Sequence, residues 1–63
     1  MTWELYEVWS VDEDGHEELV DTTKSLKEAR ALAKLSLEDF SLAIIYKETE
    51  DGDTEEIERL TND

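Results

Sequence analysis

A chain of 63 residues has room for one hydrophobic core, so it is read as a single domain over residues 1–63. With no Cys, the sequence excludes a disulfide scaffold, a thiolate zinc site and a thiol nucleophile, and its single His argues against an imidazole-based metal site or triad. Six basic residues against 19 acidic ones leave a net charge of −13, which repels phosphates and anionic headgroups and argues against direct contact with nucleic acid or membrane.

The segment Trp3 to Val11 is rich in aromatic and β-branched residues and stops at Asp12-Glu13-Asp14-Gly15, a turn signal. Read as a two-residue type I′ turn at Asp14-Gly15, it pairs Glu13 with His16 and places Trp9 opposite Val20, giving a first hairpin over residues 3–22. Ser25-Leu26-Lys27-Glu28 then has the form of a capping box and opens a helix over 25–38. At 100° per residue Leu26, Ala29, Ala33 and Leu37 share one face, with Leu32 and Ser36 at its margin, while Leu35 and Ala31 point away. Phe40 to Lys47 has strong strand propensity, and Glu50-Asp51-Gly52-Asp53 repeats the turn chemistry before Thr54 to Leu60, a second hairpin over residues 40–60. The same turn register sets Tyr46 opposite Ile57.

The hairpins align without a gap at an offset of 37, Leu5 onto Leu42, Trp9 onto Tyr46, Glu13-Asp14-Gly15 onto Glu50-Asp51-Gly52 and Val20 onto Ile57. Duplication accounts for this, and so does the similarity of any two Asp-Gly hairpins of like composition. The connectivity predicts an α+β fold, β-β-α-β-β, whose four-stranded antiparallel sheet has the order 2-1-3-4 and one helix packed on one face. Charged outer strands, with Glu17, Glu18 and Asp21 on one and Glu55, Glu56 and Glu58 on the other, protect the sheet edges.

Alternation assigns Trp3, Leu5, Trp9, Val20, Phe40, Leu42, Ile44, Tyr46 and Ile57 to one face, expected beneath the helix because it offers the larger aromatic area. Glu7 falls on that face and fits it poorly. The opposite face collects Tyr6, Val8, Leu19, Ala43, Ile45 and Leu60, and with no second helix to cover it, this set is the expected interface, through which the chain forms a homodimer or docks another protein.

Chemistry is otherwise sparse. Asp12 to Glu18 invites a metal reading, but its Gly stands fourth from Asp12 where a calcium loop needs it sixth, so no metal site is assigned. His16 sits in a polar turn, no Ser has a His to activate it, and two glycines make no phosphate loop. The expectation is therefore no enzyme, no cofactor and no small-molecule substrate. Lys24, Lys27, Arg30 and Lys34 against Glu28 give the helical stretch +3, so the charge is polarised between a basic helix and acidic hairpins. No run of 18 apolar residues occurs, and Met1-Thr2-Trp3-Glu4 does not open like a signal peptide, which points to the cytoplasm. The functional expectation is a non-catalytic interaction module that self-associates through the outer sheet face; the alternative is an acidic DNA-mimic inhibitor of a basic nucleic-acid-binding protein. The same acidity suits the saline cytoplasm of a halophilic cell.

Overall fold

The computed structural model describes residues 3–62; the expectations resting on Met1, Thr2 and Asp63 lie outside them. Among the described residues the chain forms β1 (Glu4–Val11), β2 (Glu17–Thr23), α1 (Leu26–Ser36), β3 (Leu42–Thr49) and β4 (Thr54–Thr61). The strands make one antiparallel sheet in the order β2-β1-β3-β4, the expected α+β architecture.

Both turns are one residue longer than the sequence suggested. Asp12 N–H donates to the His16 carbonyl at 3.1 Å and Gly15 N–H to the Asp12 carbonyl at 3.1 Å, enclosing the three-residue loop Glu13-Asp14-Gly15. A type I′ turn would need positive φ at Asp14, yet no described non-glycine residue has it; Gly15 alone, at φ +86°, takes the left-handed position of a type I turn with a bulge. Asp12 supports this form, since its Oδ1 accepts the amides of Asp14 and His16, both at 2.9 Å. The second hairpin repeats it, with Thr49 N–H donating to the Asp53 carbonyl, Gly52 N–H to the Thr49 carbonyl (both 3.0 Å), and Gly52 at φ +90°.

The longer loops shift the adjoining registers by one residue. Trp9 faces Leu19 rather than Val20, and Tyr46 faces Glu56 rather than Ile57. A bulge in each outer strand then restores the expected pairing: Val8 faces Asp21 and Ile45 faces Glu58, leaving Val20 and Ile57 as the extra residues. The loop and bulge thus recur at the same offset in both hairpins.

Ser25 caps α1 as expected, its hydroxyl accepting the Glu28 amide at 3.4 Å. The reciprocal bond is rerouted. Thr23 Oγ1 accepts the Ser25 amide at 3.3 Å and donates to Glu28 Oε2 at 2.7 Å, so the last residue of β2 mediates the box. Regular helix ends at Ser36, and turn residues 37–39 lead on to Phe40, whose amide donates to the Ser36 carbonyl at 3.0 Å.

The helix lies on the face opposite to the one expected. Ala29 and Ala33 pack on Val8, Ala43 and Ile45, with Tyr6, Leu26, Leu32, Leu37 and Leu60 around them. Five of the six expected interface residues, Tyr6, Val8, Ala43, Ile45 and Leu60, are therefore part of the core beneath α1 and cannot form an outer contact surface. The reason is steric. A helix that presents alanines approaches the sheet closely, and the surface directly beneath them is built from the small and β-branched Val8, Ala43 and Ile45, with the one aromatic ring of this face, Tyr6, only partly buried beside them. Ser10, also on this face and 1% exposed, donates its hydroxyl to the Glu18 carbonyl at 3.4 Å, which satisfies it.

Candidate functional site: the open face of the sheet

With α1 over the even-numbered side of β1, the odd-numbered side is open. Residues opposite one another in a ladder share a face, so Trp9 stands with Ile44 and Leu19, Tyr46 with Glu7 and Glu56, and Leu5 with Glu48. Leu19, the sixth expected interface residue, is accordingly on the open face, where it is exposed. Leu5, Trp9, Leu42 and Tyr46 are half-buried there, whereas Ile44 is only 3% exposed because Trp9 and Arg59 flank it on the neighbouring strands. Bulge residues Val20 and Ile57 and the pre-strand Trp3 remain exposed at the periphery.

Trp9, Tyr46, Glu7, Glu17 and Thr54 line a shallow cleft of about 250 Å3 in this face. Glu7, a poor fit to a buried face, is at home on an open one. It lies two residues from Trp9 on the same side of β1, and its Oε1 accepts the indole N–H at 3.3 Å. Carboxylates crowd the cleft. A hydrogen bond shared with Glu7, reinforced by repulsion between the two carboxylates, raises the pKa of Glu48. Burial raises the Tyr46 phenol, and the nearby carboxylates of Glu17 and Glu56 add to the shift against the opposing charge of Arg59. Arg59 is already paired with Glu56 at 2.9 Å, and among the described residues Glu7, Glu17 and Glu48 have no salt bridge.

The other charges are accounted for more simply. Arg30 ties α1 to β4 through Glu58 at 3.0 Å, and Lys47 meets Glu4 at 3.2 Å, both partly exposed pairs of small energetic weight. Asp12, Asp14, Glu38 and Asp39 border a wide acidic hollow at one end of the sheet, but no three described side chains converge as a metal site would need. The His16 side chain is 84% exposed, 3.7 Å from Asp12. No described helix is long and apolar enough to cross a membrane.

Against known proteins, no family model, no curated protein and no solved structure matches this chain.

The sequence sets Trp9 and Tyr46 at equivalent positions of the two hairpins and on one face of the sheet, as they are, but its apolar area points that face to the core, whereas it is the open one. Two signals pointed outward: Glu7 between Leu5 and Trp9 on the same side of β1, and the alanines on the helix face.

Proposed function

We propose that the chain is a non-catalytic interaction module that binds a basic partner protein through the open face of its sheet. The observation that supports this is an uncovered aromatic surface, Trp9 and Tyr46 over Ile44, bordered by the carboxylates of Glu7, Glu17 and Glu48. A contiguous apolar surface rimmed by charge is the usual form of a protein contact, and one sign of charge selects partners of the other. The net charge of −13 adds long-range attraction toward such a partner. This is the wider class to which a DNA-mimic inhibitor would belong.

Self-association through the same face is the second reading, favoured by the half-buried Leu5, Trp9, Leu42 and Tyr46. Stacking two copies would bring their carboxylates together, so this form requires concentrated salt.

Binding to a panel of basic and acidic proteins at 0.05 and 0.5 M salt tests the first reading. Basic proteins are expected to bind, with affinity falling as salt rises, and a folded Trp9→Ser/Tyr46→Ser variant to lose the interaction. Equal binding by that variant would overturn the reading. Sedimentation at 2 M salt tests the second, which a monomeric wild type would end.

A further inference from the structure

The cleft between Trp9 and Tyr46 has both components of a cation seat, and resting on the reading above, we infer that it receives the guanidinium group of an arginine carried on a basic segment of the partner. Its volume, about 250 Å3, lies below the roughly 300–1,000 Å3 of pockets that enclose whole small molecules, so it suits a single protruding side chain. Its walls are an indole and a phenol ring, whose faces attract a planar cation, and Glu7 and Glu17, whose carboxylates can accept its N–H groups.

The state of the carboxylates supplies the charge complementarity. Glu7 and Glu17, which line the cleft, lack a cationic partner among the described residues, and Glu48, opposite Leu5 on the same face, adds a third carboxylate without one. An arriving cation pairs with these carboxylates, whereas an apolar occupant leaves them unpaired and an anionic one is repelled. Arginine is favoured over lysine because its planar group can lie against an aromatic ring while donating in a fork to the carboxylates, whereas an ammonium is a compact, strongly hydrated charge.

The occupant is tested with a short peptide carrying four arginines in a Gly/Ser background, beside its lysine and citrulline counterparts. Fluorescence is read in a Trp3→Phe background so that Trp9 alone reports; Trp3 precedes β1 and is 44% exposed, so its replacement leaves the fold intact. The arginine peptide is expected to perturb Trp9 and to bind about fivefold more tightly than the lysine peptide, with the citrulline peptide inert. Glu17→Gln should weaken the arginine peptide about fivefold, and Glu13→Gln, the same charge change in the first turn, less than about twofold. Tyr46→Leu, verified as folded by circular dichroism, should erase the preference for arginine over lysine. Equal affinity for the arginine and lysine peptides, or equal losses in Glu17→Gln and Glu13→Gln, would overturn the seat in favour of diffuse charge attraction. In that event, basic proteins that still lose binding to the Trp9→Ser/Tyr46→Ser variant would leave the interaction reading standing without it.

Discussion

Val8 lies directly opposite Ile45, its own counterpart at the offset of 37, and both are fully buried beneath α1. Antiparallel pairing of equivalent residues puts a local twofold axis between them, perpendicular to the sheet. The two glycine loops, the two bulges and the pair Trp9 and Tyr46 are distributed about that axis. The helix breaks the symmetry by covering one face.

The first prediction follows from that pair. Val8→Lys or Ile45→Lys puts an ammonium into a fully buried apolar site under the helix, with its only neighbouring carboxylates, Asp21 and Glu58, out on the edge strands, and either should unfold the chain, as followed by circular dichroism. Milder changes keep the effect measurable: Ile45→Val should cost about 0.5–1.5 kcal/mol and Ile45→Ala about 2–5 kcal/mol in urea unfolding. A folded Ile45→Lys protein of wild-type stability would mean that the helix does not pack on this face.

The glycine loops give a paired prediction. Gly15 and Gly52 sit at φ +86° and +90°, and a Cβ built on either meets nothing within 4 Å, so replacement costs backbone strain alone. Gly15→Ala and Gly52→Ala should each destabilise by about 1–2 kcal/mol, and by similar amounts because the two loops share one geometry. Asn at either position should cost less, since its side chain tolerates the left-handed region. Thermal unfolding of the four variants checks both statements.

Element order, strand pairing order and the helix cap were all legible, because each depends on local chemistry: alternation in β1 and β3, glycine after an acidic pair, and Ser25 three residues before Glu28. Register was legible only in part. Asp14-Gly15 suits both two- and three-residue loops; Asp12, two positions before Asp14, supports the longer one by accepting the Asp14 and His16 amides, yet the second hairpin takes the same loop with Thr49 in that place, so the dipeptide and its immediate neighbours do not spell out the choice. The face assignment failed for a different reason. Summed apolar area favoured the aromatic side, but the close approach of the alanines of α1 is a property of packing, and directly beneath them it admits Val8, Ala43 and Ile45, with a ring, that of Tyr6, only partly buried beside them.

That packing argument can be tested from the helix. Ala33 is fully buried against the sheet, whereas Leu35 is 62% exposed two residues later. Ala33→Leu should overpack the interface and cost about 1–3 kcal/mol, although leucine is a good helix former and adds apolar area. Leu35→Lys should leave stability within about 0.5 kcal/mol. The reverse ranking in chemical denaturation would mean that the helix is rotated relative to the arrangement described.

The last prediction concerns charge. Repulsion among 19 acidic residues opposes folding, and salt shortens its range from about 10 Å at 0.1 M to about 3 Å at 1 M, so the melting temperature should rise with sodium chloride. An uncharged osmolyte run in parallel separates screening from solvent exclusion. Acidification acts on particular groups, and two of them work in opposite directions. Glu48 has its pKa raised by Glu7, so its ionisation destabilises the fold at neutral pH, and that cost fades as pH falls through its folded pKa. Asp12 has its pKa lowered, chiefly by the His16 amide and further by that of Asp14, so it stabilises the fold at neutral pH and that contribution is lost as pH falls through its depressed pKa. The melting temperature should therefore climb from pH 7 toward about 5 and fall again below about 4, the ordinary carboxylate values lying between the two shifted ones. Glu48→Gln should raise the melting temperature at pH 7 and reduce the climb, while Asp12→Asn should lower it at pH 7 and soften the acid limb. A melting temperature that declines steadily from pH 7 to pH 5 in the wild type would show that the Glu7–Glu48 repulsion does not govern the response, and an unchanged climb in Glu48→Gln would assign it to other carboxylates of the acidic surface.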